Sequence, residues 1–218
     1  MLRDLSYNKI GRILVTHFED CPLTSQLNLQ SNEIAYIEDG TFANVTYIGN
    51  LNLQNNEIND IPMGGTFVNK TLGSVSFGSM QLTSLTTHVF YGLHVSGYLY
   101  LNNNQISFIA DEAFYDVTVS YDLHLENNGL DTLEGKMFGG TSSADEIHLN
   151  DNLIASLPTN VFEDVSANRI NLQNNQILEI ASTLLSPLTN LRELNMNNNN
   201  ISSVDDGAFD GLDNLVSM

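Results

Sequence analysis

The chain of 218 residues has one cysteine, four prolines, no tryptophan, and only seven basic residues against 26 acidic ones. Each shortage excludes something. A lone cysteine, Cys21, can form no disulfide within the chain and no Cys-based zinc cage. A formal net charge of −19 argues against binding nucleic acid or an anionic membrane, since both demand basic patches. The acidic residues are scattered rather than run together and read as a solvated surface. No apolar run approaches the length of a membrane span, so no direct membrane insertion is expected. Residues Met1 to Asp20 carry Arg3, Asp4, Lys9 and Arg12 without a continuous apolar core, and do not read as a secretory leader. On that ground the chain is expected to be either cytosolic or a piece of something longer. Catalytic and cofactor motifs are missing as well. There is no P-loop, dinucleotide fingerprint, HExxH or nucleophile elbow. Gly64-Gly65 and Gly139-Gly140 punctuate loops and lack the context of a phosphate cradle. No enzyme activity and no cofactor are expected.

What remains is apolar and rich in asparagine. Hydrophobic residues make up 42 %, too many for a disordered chain, and the length suffices to bury a sizeable core. Asparagine is a turn residue rather than a helix residue. One asparagine recurs, as Asn8, Asn32, Asn56, Asn104, Asn128, Asn152, Asn175 and Asn199. The steps are 24 residues, or twice that across one gap filled by Met80, with a single step of 23. Apolar residues keep fixed offsets around each: Leu27, Leu29, Ile34, Ile37 and Phe42 about Asn32, and Leu123, Leu125, Leu130, Leu133 and Phe138 about Asn128. The last offset gives Phe18, Phe42, Phe90, Phe114, Phe138, Phe162 and Phe209, with Leu185 as substitute. Phe67 arrives one residue late, after the Pro62–Gly65 segment.

Apolar residues two apart, such as Leu99 and Leu101, mark a short strand with one buried face. A unit of 24 residues cannot enclose its own apolar side chains, so like units must stack into a parallel sheet over one continuous core. The recurrent asparagine can then bond backbone groups that no regular ladder satisfies. The run Leu99-Tyr100-Leu101-Asn102-Asn103-Asn104-Gln105-Ile106, followed by Ile109 and Phe114, resembles the leucine-rich repeat in its 24-residue typical form. The resemblance covers essentially all of 1–218, as one array of about eight to nine repeats. It implies an α/β repeat solenoid, mostly strand and irregular structure. It further implies a horseshoe with a concave parallel sheet, short turns or 3₁₀ pieces on the convex side, and an asparagine ladder. This repeat form is most familiar from receptor ectodomains and secreted or adhesion proteins. Met80 departs from the ladder, and the Cys-rich caps common in such ectodomains are missing. Cys21 falls where Leu93, Val117, Val165 and Leu212 stand in other repeats, and is expected in the core. The chain begins mid-repeat and stops as another strand should start, without polar capping units, and so reads as an internal fragment of a longer array.

Side chains alternate along a strand, so residues between the buried pairs must face the concave side. They are Asn28, Asn52, Ser76, Tyr100, His124, His148, Asn171 and Asn195. Two residues earlier stand Gln26, Asn50, Ser74, Tyr98, Asp122, Glu146, Arg169 and Glu193. The outer repeats present amides and hydroxyls; the middle ones gather Tyr98, Tyr100, Asp122, His124, Glu126, Glu146, His148 and Arg169. Exposed aromatics with arginine and carboxylates are the material of interface hot spots, and a protein or glycan ligand is expected there. The competing reading is that solenoid faces carry scattered aromatics without function. A metal held by His124 and His148 with Asp122 or Glu146 lacks a fixed third ligand in the sequence, and none is expected. A catalytic His–carboxylate pair has no nucleophile and no enclosed site. The acidic triplets Glu38-Asp39-Gly40 and Asp205-Asp206-Gly207 read as caps of the following turns rather than calcium sites. The three sequons, at Asn44, Asn69 and Asn200, are no more than the composition yields by chance. The leading expectation is a recognition module of an extracellular receptor or adhesion protein. The alternatives are an intracellular interaction scaffold and the sensor region of a larger receptor enzyme.

Overall fold

The computed structural model describes residues 2–20, 23–45, 47–62, 65–140 and 142–218. Cys21, expected in the core, lies outside them. The described chain winds into a parallel solenoid whose main sheet has eleven strands. Leu2–Asp4, Leu23–Asn28, Tyr47–Asn52 and Thr71–Ser76 add in chain order. The next two repeats each contribute two short pieces, His94–Val95 with Leu99–Tyr100, then Thr118–Val119 with Asp122–His124. The sheet rejoins at Ser142–His148 and continues through Val165–Asn171 to Glu193–Asn195. On the far side the described backbone forms two-residue pairings, such as Arg12–Ile13 with Tyr36–Ile37 and Ser84–Leu85 with Phe108–Ile109, and the isolated bridge of Thr132 with Ser156. One 3₁₀ turn, Val15–His17, is present among the described residues.

The register is the one that the 24-residue period dictates. Leu27 pairs with Leu51, Leu51 with Val75, Val75 with Leu99, Leu99 with Leu123, Leu123 with Ile147, Ile147 with Ile170, and Ile170 with Leu194. This column is buried from end to end, no member exposing more than 4 %. Each such side chain contributes about 1.5–3 kcal/mol on burial. Behind it runs a spine of phenylalanines. Phe18, Phe42, Phe67, Phe90, Phe114 and Phe138 follow one another at ring-centroid spacings of 5.3, 5.8, 6.4, 5.8 and 5.6 Å. Strands in a sheet lie about 4.8 Å apart. The wider spacing of the ring spine bends the stack, with the sheet on the inside of the bend. Phe67, late by one residue, still joins the spine and is buried.

The asparagines form the expected ladder. Asn56 Nδ2 donates to Leu53 O at 2.7 Å and, one repeat back, to Leu29 O at 3.0 Å, while its Oδ1 accepts from Ile34 N at 3.0 Å. Asn32, Asn128, Asn152, Asn175 and Asn199 repeat this pattern. Among the described residues Asn8 bonds within its own turn, to Leu5 O and Ser6 O. Asn104 makes both carbonyl contacts, but its Oδ1 is shared between Met80 N at 3.1 Å and Leu82 N at 3.3 Å. The rung next to the interruption thus takes on the amide of Met80. The residue before each rung stands in the left-handed region. Tyr7, Ser31, Asn55, Ser79, Asn103, Asn127, Asp151, Asn174 and Asn198 all have φ between 54° and 57°. Asn and Asp tolerate this conformation best, which explains the recurrent Asn-Asn pair.

At the expected caps the structure differs in detail. The Glu38 carboxylate accepts the Val15 amide of the preceding repeat at 2.8 Å, and Asp205 accepts that of Ser182 at 3.3 Å. These acids tie one repeat to the previous one, because stacking brings the amides of the neighbouring turn within reach.

Candidate functional site

The outward column follows from the same register. Ser76 pairs with Tyr100, Tyr100 with His124, His124 with His148, and His148 with Asn171. In the adjacent column Asp122 pairs with Glu146 and Glu146 with Arg169. The eight residues singled out from the sequence therefore stand on four neighbouring strand positions, half-buried and on one face. Their rings form a continuous row. Tyr98 and Tyr100 stack at 5.6 Å, Tyr100 and His124 at 4.6 Å, and His124 and His148 at 4.4 Å with only 4° between planes. Identical strand spacing and identical side-chain direction produce this parallelism.

Carboxylates flank the row. His124 Nδ1 lies 3.2 Å from both oxygens of Glu126, and His148 Nδ1 lies 3.4 Å from Glu146 Oε1. His148 Nε2 lies 3.9 Å from Asp122 Oδ2. Arg169 ends the patch, with Nε 2.7 Å from Glu146 Oε2 and Nη2 3.0 Å from Asp145 Oδ2 and 3.9 Å from Asp122 Oδ1. Burial raises the Glu126 carboxyl, but the His124 hydrogen bond, its own backbone amide and the neighbouring imidazoles outweigh this and hold it below its usual range. Burial pushes the His148 imidazole down, opposed by Glu146 and reinforced by His124. Burial likewise raises the Tyr100 phenol, together with Tyr98, Asp122 and Glu126. The hydrogen bond with Glu146 raises the Arg169 guanidinium further. Four carboxylates thus face one guanidinium and two imidazoles.

Two residues that the alternation rule passes over join the patch. Tyr121 precedes Asp122 and by strict alternation would point inward. The strand breaks between Val119 and Asp122, and Tyr121 turns out, 53 % exposed, with its ring 5.1 Å from Tyr98. Asp145 reaches Arg169 from beside Glu146. A break of this kind has no plain sequence signal beyond Gly97 and the Ser120-Tyr121 pair.

Around the patch the surface changes character. Gln26, Asn50, Asn52, Gln54, Ser74, Ser76 and Asn102 line a shallow groove of about 470 Å³ that ends against Tyr98 and Tyr100. A larger hollow of about 670 Å³ opens away from the sheet, among His88, Tyr91, Glu112 and Tyr115. There Tyr91 and Tyr115 stack at 5.7 Å and His88 Nε2 meets Glu112 Oε2 at 3.0 Å. These residues flank the recurrent Phe90 and Phe114 in the turns, where the sequence analysis assigned no site. The hollow is bigger, but it holds a single ion pair of exposed groups. The sheet face gathers more aromatic and charged groups in fixed positions, and it is the stronger candidate.

A search of curated proteins gives no significant match to the sequence. Solved structures resemble it in fold. A chain of the glycosylated Toll–Spatzle complex of Drosophila superposes with a TM-score of 0.76 at 22 % identity, covering 96 % of this chain and 32 % of that one. A leucine-rich repeat protein from Bacteroides thetaiotaomicron gives 0.71 at 16 % identity, covering 88 % and 25 %. A chain of the TLR13–ssRNA13 complex gives 0.61 at 19 % identity, covering 87 % and 28 %. The chain spans about a third or less of the length of these solved chains. The model of the BspA type leucine rich repeat region matches residues 5–96 and 107–218, in six copies. With the parallel sheet, the asparagine ladder and the phenylalanine spine on the same period, the chain belongs to the BspA-type leucine-rich repeat family.

Proposed function

We propose that this chain is a non-catalytic recognition module that binds a protein or glycan ligand on its concave face. The centre of the site is Tyr98, Tyr100, Asp122, His124, Glu126, Glu146, His148 and Arg169, with Tyr121 beside them. One observation carries the reading: a continuous row of four stacked rings, edged by carboxylates and ended by arginine, adjoins a groove of amides and hydroxyls on the same face. Rigid aromatics fixed by a sheet lose little entropy when they are covered, and contribute most where surrounding contacts exclude water. The groove of amides beside Tyr98 and Tyr100 suits the polar rim of such a site, or the hydroxyls of a sugar stacked on the rings.

The array, residues 1–218, acts as one unit, and its setting is the cell surface or outside the cell, as part of a receptor or adhesion ectodomain. The Toll–Spatzle neighbour, named for a protein complex, supports a protein as the ligand. The TLR13 neighbour is named for a complex with ssRNA. A net charge of −19, and an Arg169 already shared among carboxylates, weigh against nucleic acid for this chain. No helix of the described residues is long and apolar enough to cross a membrane.

The test is a screen of the purified chain against arrays of glycans and extracellular proteins, run in parallel with two variants. Every specific hit should be lost or weakened at least tenfold by Tyr98→Ala combined with Tyr100→Ala. The same hits should persist in Tyr91→Ala combined with Tyr115→Ala, on the other hollow. Hits that follow the second pair and ignore the first would move the site to the turns and end this reading.

A further inference from the structure

His124 and His148 sit opposite each other on paired strands, but the sequence leaves a third metal ligand unassigned. The fold supplies it. Asp122, His124 and His148 each offer one donor atom, and these atoms lie within 4.8 Å of one another. We propose that Asp122, His124 and His148 form a site for a divalent transition-metal ion, with zinc as the reference metal. This inference stands on its own and does not depend on whether the tyrosine row binds a ligand.

Four observations carry it. The donor set, two imidazoles and one carboxylate, is one that zinc accepts with a fourth position left open. The imidazoles stand 4.4 Å apart on paired strands, so the sheet places both donors on one face, and a rotation of the rings out of their parallel stack turns both lone pairs toward one ion. Each imidazole has a carboxylate at Nδ1, Glu126 for His124 and Glu146 for His148. A carboxylate behind a ligating histidine is what fixes its tautomer and strengthens it as a donor. That arrangement leaves Nε2 for the ion, and His148 Nε2 is the atom 3.9 Å from Asp122 Oδ2. The charge also fits. Asp122, Asp145 and Glu146 crowd around the guanidinium of Arg169, which is held closely by Glu146 and Asp145 while its contact with Asp122 is 3.9 Å. Asp122 is therefore free to turn toward the histidines.

Zinc sits about 2.0–2.2 Å from such donors, which places tetrahedral neighbours roughly 3.5 Å apart. The Asp122–His148 separation needs to close by only a few tenths of an ångström. The remaining closure falls to half-buried side chains on an open face, where no packed core resists rotation.

The experiment is calorimetric titration of the full chain, free of any affinity tag, with zinc chloride. One equivalent should bind saturably. His124→Ala, His148→Ala and Asp122→Asn should each weaken binding at least tenfold, and Glu146→Gln by about tenfold through loss of the carboxylate behind His148. Tyr91→Ala with Tyr115→Ala, in the hollow away from the sheet, should leave zinc binding unchanged, and because zinc binding is read with no protein or glycan present, the two readings can fail separately. Absence of saturable binding, or binding that survives His124→Ala combined with His148→Ala, overturns the site. If a variant fails to fold, the wild-type imidazole resonances decide. Zinc should perturb two of the five histidines and spare His17, His88 and His94. Perturbation of those three instead, or of none, also overturns it.

Discussion

Replacing Asn152 with alanine removes a rung from the middle of the ladder, and its cost can be worked bond by bond. Asn152 Nδ2 donates to Leu125 O and Leu149 O, both at 3.1 Å, and Oδ1 accepts from Leu130 N at 3.2 Å. The two carbonyls are not orphaned by the change. Leu125 O still receives Asn128 Nδ2 at 3.0 Å, and Leu149 O still receives Asn175 Nδ2 at 2.9 Å. Each loses one net hydrogen bond, about 0.5–1.5 kcal/mol. The Leu130 amide is different, since it loses its acceptor inside a fully buried residue, for about 1–3 kcal/mol. Together Asn152→Ala should cost about 2–6 kcal/mol. Asn8→Ala removes only exposed bonds within one turn and should cost less than about 0.5 kcal/mol. Asn152→Asp keeps the acceptor for Leu130 but sets a carboxylate against two carbonyl oxygens, so at neutral pH it should be at least as damaging as alanine. Urea melts followed by circular dichroism give the differences, and hydrogen exchange at the Leu130 amide shows whether the opening is local. A loss below about 0.5 kcal/mol at Asn152, or an equal loss at Asn8, would refute the reasoning.

Other consequences follow from the same geometry. Gly73 packs so closely on the neighbouring strand that a Cβ would stand 1.5 Å from Gly49 O. Gly73→Ala should therefore destabilise by about 1–3 kcal/mol in thermal or urea melts, because backbone rather than a flexible side chain must move. Asn103, exposed at φ 54°, should accept glycine with little change but lose about 1–2 kcal/mol as valine, and paired melts of the two variants check this. Phe114→Ala opens the ring spine between Phe90 and Phe138 and should cost about 3–5 kcal/mol. On the face, Tyr98→Ala or Tyr100→Ala should weaken a ligand found in the array screen by about 2 kcal/mol or more. Asn52→Ala, Asn171→Ala and Asn195→Ala should stay within about 0.5 kcal/mol in the same titration.

The repeat was legible because its signal is redundant. Eight asparagines and a phenylalanine column report one period, and any two neighbouring repeats already determine the pairing of Leu99 with Leu123 and of His124 with His148. Membership of the face was legible for the same reason, since alternation about a buried pair leaves Tyr100 and Asp122 no other direction. What lay beyond the sequence depends on departures from periodicity. The strand break that turns Tyr121 outward is a backbone event with no residue column of its own. The sharing of Asn104 between Met80 and Leu82 follows from a missing rung, and only coordinates show which neighbour absorbs the loss. The approach of Asp122 to His148 depends on side-chain rotation across a strand pair, which register alone does not fix. The hollow around Tyr91 and Tyr115 was hidden because turn residues were read only for their part in the period.

The central claim is that the tyrosine–histidine row is the contact surface for a partner. Site-specific photocrosslinking tests it most directly. A benzoylphenylalanine placed at position 100 should crosslink to a ligand identified by the array screen, and the same group at position 115, in the hollow away from the sheet, should not. Efficient crosslinking from position 115 with none from position 100 would contradict the account and place recognition on the turns.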